Sequence, residues 1–427
     1  MDCRGEFRSA GFQPAVFLLN RCRLEAGATF FCETGYAMRI FYVCYENLSL
    51  QRAPTIHVKE ITEHLRKSGN DVILFAPNTG RLKVETDVKT VYAPTLNIRF
   101  ISEYLYYLSL FFYLLAYHVK FKADVIYLRE MGLSVAPALI GFIFRIPCIL
   151  EINGIPSVDL KSAGTHRLRR KMYWAFQHLN VLLADKVICV SDNIKRALDS
   201  INKNPHKVII IENGVNKDLF CPQDKITARR LLNLEPDGYY LLFVGSFYPR
   251  HAPLHTIRIL DHIRKKLPGA RLAMVGSGYL LECARDLVNE LGLTPFVSFV
   301  GEVRYEDIPR YITAADAGLY LLTGIGKFYG KAALKLFEYM ACARPVIADE
   351  SSGDFIRENG IGIVVSEVDY ERAADEIICL LKNDTLRDAM GKNGRRLVLD
   401  SFTWDITTRK IMDVCEGIVS HGSKEKR

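Results

Sequence analysis

Two opposite charges, Lys335 and Glu338, stand three residues apart in the otherwise apolar run 332–343 of KAALKLFEYMACARPVIADES (residues 331–351). The residues from about 332 to 342 are good helix formers that follow Gly330, so the pair shares one helix face. That places the cation near the helix start, where free backbone N–H groups and the positive dipole end already favour an anion. A phosphate-bearing ligand would satisfy all three features. One turn deeper, a carboxylate accepts both vicinal hydroxyls of a ribose. The plainer alternative is a helical i,i+3 ion pair worth a few tenths of a kcal/mol.

Such a site needs a scaffold, and the chain alternates strand and helix. Strand-like runs lie at 38–45, 71–77, 124–128, 147–152, 186–190 and 207–212. Helical patterns separate them, as in TIHVKEITEHLRKSGN (55–70), where Ile56, Ile61 and Leu65 form a stripe that Gly69 ends. The pattern restarts after the turn-rich ENGVNKDLFCPQD (212–224), with strands expected at 239–245, 270–276, 296–301, 317–322, 345–349 and 361–365. Short β-branched strands between helices mean βαβ units and parallel sheets. Two consecutive doubly wound domains follow, with a ligand where the carboxyl ends of their strands face a cleft. The last helical run, 402–420, has no strand after it and is expected to pack back on the first domain.

Composition agrees. At 427 residues, with 49% apolar and 24% charged, the chain is globular and too long for one core. Eleven cysteines without C-x-x-C or Cys/His ligand spacing speak against a structural zinc or a disulfide framework and for reduced thiols in a cytoplasmic protein. Residues 1–37 show neither strand alternation nor a helical stripe, and the core AVFLL is too short for a signal peptide. They are expected to be a disordered or non-native extension preceding Met38. The aromatic run at 100–121, interrupted by Glu103, reads as a buried or interfacial helix rather than a membrane span.

The remaining features carry weaker chemistry. Ser191 in VSDN reads as a helix N-cap rather than a nucleophile. The +8 net charge clusters at 165–180, where Arg167, Arg169, Arg170 and Lys171 stand beside Met172, Tyr173, Trp174 and Phe176. That mixture suits an anionic membrane interface, beside the aromatic 100–118 helix, or a solvated face over a core stripe. No nucleic-acid module accompanies it.

LKLFEYMACARPVIA (334–348) resembles the nucleotide-sugar-binding segment of the family 4 glycosyltransferases, retaining enzymes of the GT-B fold, and IIENGVNKDLF (210–220) resembles their interdomain signature. Further matching pieces run in the family's order from Met38 to about residue 410, among them CILEINGIP (148–156), FVGSFYPRH (243–251), AMVGSGY (273–279) and FVGEVRYEDIPRYITAADAGLYLL (299–322). The resemblance implies that Glu338 binds the donor ribose and that Lys335, Arg250 and His251 stabilise the departing diphosphate. It places Val303 at the base and Leu334, Lys331, Gly245 and Ser246 around the donor. The strand end bearing Glu151 and Asn153 would face the transferred sugar, where a strand cap with an Asn-Gly turn is the alternative; His57 opens the helix after the first loop as a contact or a core histidine. No metal is expected, because cations and a helix terminus neutralise the leaving group. The chain departs from the family pattern at Gly330, where many members carry a first glutamate, at Ala332-Ala333 for Ser-Pro, at Ala252 and Ala343 for glycines, and at QRAP (51–54) for a glycine-rich loop.

The expectation is a two-domain α/β protein of GT-B type: an N-terminal Rossmann-like acceptor-binding domain over 38–212, a C-terminal nucleotide-sugar-binding domain over 213–400, a helix over 401–420 returning to the first domain, and a tail at 421–427. Its expected activity is retaining, metal-independent transfer of a hexose-type sugar from a UDP-, GDP- or ADP-sugar to a glycan, lipid-linked or other hydroxyl acceptor, in cell-surface polysaccharide or glycolipid synthesis. It would need no cofactor and would be cytoplasmic, with peripheral contact to the inner face of the cell membrane through 165–180. A catalytically weakened nucleotide-binding scaffold and a sugar-nucleotide epimerase are the alternatives.

Overall fold

The computed structural model describes residues 37–79, 86–95, 101–155, 166–202, 204 and 206–424. The extension expected over residues 1–37 lies, up to residue 36, outside the described residues.

Thirteen parallel strands form two sheets among the described residues. The first has the order β3-β2-β1-β4-β5-β6-β7, with β1 Arg39–Val43, β2 Asp71–Asn78, β3 Lys89–Pro94, β4 Val125–Arg129, β5 Cys148–Ile152, β6 Lys186–Cys189 and β7 Val208–Ile210. The second runs β10-β9-β8-β11-β12-β13, with β8 Tyr239–Val244, β9 Ala270–Val275, β10 Val297–Gly301, β11 Ala317–Tyr320, β12 Val346–Ala348 and β13 Gly362–Val364. Strand order reverses beside β1 in one sheet and beside β8 in the other, and these switch points open toward the strands' carboxyl ends. Central strands are largely apolar because helices cover both faces: β4 and β5 are buried at every position, with Arg129 and Glu151 near their carboxyl ends as the charged exceptions.

One strand escapes the sequence pattern. Edge strand β3 is exposed at both ends and only half-buried at Thr90 and Tyr92, and it closes on Pro94; with Thr90 and Val91 its only β-branched residues, it does not stand out in the sequence.

The chain crosses between the domains twice, and the crossings touch. Val215 N–H donates to Phe402 O at 2.9 Å, and Val215 bridges Thr403 in parallel. A Cβ on Gly214 would stand 2.6 Å from Trp404 N, so only glycine lets the strands pass. Asn216 accepts from the N–H groups of Asp218 and Leu219 and donates Nδ2 to Glu60 of the first domain at 3.0 Å. The terminal helix, Trp404–Lys424, runs past residue 420 and buries Trp404, Ile411 and Cys415 against Met38, Ile40, Tyr42, Val125 and Tyr127 of the first sheet.

Candidate functional site

The helix Leu334–Ala341 begins at the carboxyl edge of the second sheet, and all eight of its residues are buried. Leu336, Phe337, Tyr339 and Met340 are fully so, each contributing roughly 1.5–3 kcal/mol. That apolar set holds in place two ionisable side chains, Lys335 and Glu338, whose burial in the charged form costs several kcal/mol apiece by the general penalty for ions. Ala333, in extended conformation, precedes the helix with no side-chain cap. The first N–H groups of the helix therefore have no capping side chain of their own.

Lys335 and Glu338 do not pair with each other. Lys335 Nζ is buried without a hydrogen-bond partner, 5.2 Å from the Phe243 ring centroid and 5.5 Å from that of Tyr320. Burial lowers its pKa to about 8, Arg250 adding to the effect and Glu338 opposing it. Burial likewise pushes the Glu338 carboxyl up to about 8, against the attraction of Lys335 and a hydrogen bond with Tyr305. The pair is therefore no helical salt bridge, and an unpaired buried ammonium beside an uncapped helix start is an environment that favours an anion.

The turn Pro249–His251 adds two groups. Arg250, exposed, donates Nε to His251 Nε2 at 3.2 Å, while His251 Nδ1 is buried without a partner. Burial, with Lys335 and Arg250 nearby, keeps the imidazole neutral far below its ordinary range. The loops carrying these residues interlock through glycines. Gly245 N–H donates to Val275 O at 3.0 Å and Phe247 N–H to Ser277 O at 2.9 Å, while a Cβ on Gly278 would press on Phe247 N at 2.7 Å. The backbone at Gly245 has φ +150, and Ser246, partly buried, follows it.

The two alanines in glycine positions keep the glycine backbone: Ala252 has φ 54 and Ala343 φ 53. Loss of these glycines therefore leaves the loop conformation intact. Gly330 sits at φ 51 and ψ −125, its carbonyl accepting from the Tyr320 hydroxyl, a conformation that would strain a glutamate.

Other expected residues lie further apart. Lys331 Nζ reaches Glu212 Oε1 at 3.5 Å and stands over Phe355. Leu334 packs into the core shared with the first sheet, and Val303 lines the cluster around Phe337 and Tyr339. Tyr305, two residues past Val303, bonds Glu338 and donates its N–H to Gln51 Oε1 across the cleft at 2.9 Å. The QRAP loop thus meets the second domain through a side chain.

In the first domain Glu151 is 1% exposed and does not stand open to the cleft. Asn153 Nδ2 donates to it at 2.6 Å, the Tyr42 hydroxyl at 3.3 Å and Arg129 Nη1 at 3.5 Å, and His57 Nε2 is in ion-pair contact. Burial raises the carboxyl's pKa, but His57, Arg129 and Asn153 together hold it down at about 2. His57 packs edge-on against Trp404 of the returning helix, 5.3 Å away. Arg129, which also reaches Glu46 at 3.4 Å, and Tyr305 had no role in the sequence reading; a charge closing the apolar strand DVIYLRE was the available signal for the former.

Among the described residues no group of three or more His, Cys, Asp and Glu could hold a metal ion, and no helix is long and apolar enough to cross a membrane.

Two parallel-sheet α/β domains facing one cleft define the GT-B class. The profile described as "Glycosyltransferase Family 4" matches residues 55–219 and that described as "Glycosyl transferases group 1" matches 224–397. The chain belongs to the family 4 glycosyltransferases. It is 29% identical over 249 residues to a D-inositol 3-phosphate glycosyltransferase of Nocardioides, covering 54% of this chain and 53% of that protein. It is 30% identical over 212 residues to a GDP-mannose-dependent alpha-(1-6)-phosphatidylinositol monomannoside mannosyltransferase of Mycobacterium tuberculosis, covering 48% and 54%. The match thus spans about half the length of each. Among solved structures it superposes on a sucrose-phosphate synthase of Thermosynechococcus elongatus with TM-score 0.73 at 21% identity, covering 90% of this chain and 100% of that one. On Anabaena HepE in complex with UDP and glucose the TM-score is 0.70 at 15% identity, covering 89% and 100%.

Proposed function

We propose that the protein is a retaining glycosyltransferase that moves a hexose-type sugar from a nucleotide-diphosphate donor to a hydroxyl acceptor, a glycan or a lipid-linked one. The observation that carries this reading is Lys335 Nζ, buried and unpartnered at an uncapped helix start with Glu338 one turn on. The diphosphate lies against Lys335, His251 and Arg250, which meet the charge of the leaving group without a bound metal. Glu338, in reach of Tyr305, takes the ribose hydroxyls, and the base lies along Val303. As the C1–O bond to phosphate breaks, the acceptor oxygen bonds C1 from the same face and its proton passes to the departing phosphate oxygen. Glu151, saturated by four neighbours, positions Asn153 and the strand end rather than donating or accepting a proton.

A thermal-shift screen against UDP, GDP, ADP and their sugars tests this, with Glu338→Ala as control. Ligands that bind only the folded state raise its stability. A rise of a few degrees with one nucleotide family, lost in Glu338→Ala, supports the assignment and names the base. No shift with any nucleotide rejects it. Binding without turnover would point to the scaffold reading, and a new sugar nucleotide formed without acceptor to an epimerase.

A further inference from the structure

Thirteen of the nineteen large apolar side chains exposed among the described residues lie on three helices covering one face of the first sheet: Ile101–Phe121, Ala136–Phe144 and Arg167–Leu183. On the first, Tyr106, Leu110 and Leu114 face the core. Tyr104, Leu108, Phe112 and Val119 form the opposite stripe, 52–70% exposed. Phe142 (68% exposed) and Ile143 continue it on the second helix, Leu168 and Trp174 on the third. The helices adjoin: His118 and Phe144 stand 5.7 Å apart, and the Tyr173 hydroxyl reaches Glu103 at 3.4 Å.

Charge is arranged around this stripe. Each helix ends just before a strand begins, so the C-terminal ends lie at the strands' amino edge and the N-terminal ends at the carboxyl edge, beside the cleft. Lys120, Lys122 and Arg145 mark the far edge; Arg167, Arg169, Arg170 and Lys171 mark the cleft edge. Across all three helices the only acid is Glu103, and it is engaged by the Tyr107 and Tyr173 hydroxyls. A second copy of the chain would bring cations against cations. Apolar side chains between two basic rims instead match an anionic bilayer, with the side chains in the acyl boundary and the cations among headgroups.

We infer that this three-helix face docks on an anionic lipid surface and brings the cleft edge to a lipid-borne acceptor. The inference rests on the glycosyltransferase reading and selects the lipid-linked class of acceptor within it. With the basic cleft rim in the headgroup layer, an acceptor hydroxyl on a lipid headgroup enters the cleft without leaving the membrane.

The test is flotation of the full chain with vesicles of phosphatidylcholine alone and of phosphatidylcholine doped with phosphatidylglycerol, at low and high salt. Two variants are compared, Phe112→Ser with Phe142→Ser, and Arg167→Glu with Lys171→Glu, none of them at the donor site. Partition onto the anionic vesicles, weakened by salt and lowered on the order of tenfold or more in each variant, is expected. Equal partition of wild type and variants, or no partition at all, overturns the docking face. So does a concentration-dependent dimer, seen by light scattering and abolished in the serine variant. The nucleotide-induced thermal shift is measured on the same samples: its survival in the variants shows that they fold, and its absence in the wild type rejects the donor reading while leaving vesicle binding to be judged by itself.

Discussion

Lys335 Nζ stands 3.1 Å from the point that a Cβ on Gly245 would occupy. Glycine at 245 therefore leaves room for the buried ammonium at the proposed donor site, as well as permitting φ +150. Gly245→Ala would strain the backbone by about 1–2 kcal/mol and displace Nζ by a few tenths of an ångström. We expect nucleotide affinity to fall by about tenfold, equivalent to ~1.4 kcal/mol, with a smaller loss in thermal stability. Calorimetric titration of the nucleotide against both proteins checks it; unchanged affinity would detach Lys335 from the ligand.

The site imposes a pH dependence with a definite sign. Glu338 titrates near 8 in the fold because burial raises it above its ordinary 4.5. Between those values the folded state holds a proton that the unfolded state has released, so this group's contribution to stability is greatest below about 4.5 and declines until about 8. Glu338→Gln should flatten that decline in denaturant melts while abolishing the nucleotide shift.

Lys335 acts on the other side of the same value. Burial brings it down from 10.5 to about 8, so its unfavourable burial as a cation weighs on stability below 8 and is relieved as pH rises from 8 toward 10.5. A diphosphate favours the charged form. Nucleotide affinity should hold below pH 8 and weaken above it, by up to about tenfold per unit, and Lys335→Met should bind weakly, with the pH dependence reduced to what Glu338 contributes. Titrations in buffers of different ionisation enthalpy would show the proton uptake.

Ala343 and Ala252 occupy left-handed backbone at positions that suit glycine, but differ in burial. Ala343 is only partly buried, at the end of the helix Leu334–Ala341, so Ala343→Gly relieves strain and should stabilise by about 1 kcal/mol or less, after the entropy that glycine adds to the unfolded chain. Ala252 is 1% exposed in the second core, and its methyl burial offsets the relief. Ala252→Gly should be close to neutral. Thermal melts of the two variants separate these cases.

The sequence made the helix Leu334–Ala341 and its two charges legible because charge inside an apolar helical run is rare and a parallel-sheet pattern announces a cleft. The periodicity of the central strands was equally visible, since both their faces are covered. Tyr305 was not: its part in the site depends on β10 lying next to β9 and on Gln51 reaching over, neither of which leaves a local signal. Glu151 was seen as a polar strand end, yet its closure by Arg129, His57 and Tyr42 comes from three other elements. Long-range pairing of that kind is set by tertiary packing, not by spacing along the chain.

That closure makes Glu151 the keystone of four polar side chains at the carboxyl edge of the first sheet. Removing its charge would leave Arg129, 8% exposed, with Glu46 alone and His57 without an anion. Loss of one partner from a buried pair costs on the order of 3–5 kcal/mol, so Glu151→Ala should be severely destabilising. Glu151→Gln keeps the shape and some hydrogen bonds, and should fold with a smaller loss. If Glu151 only positions the strand end, Glu151→Gln at low temperature should retain most of the nucleotide shift and lose turnover in proportion to stability. A folded Glu151→Gln with normal stability and no turnover would instead put the carboxylate against the sugar.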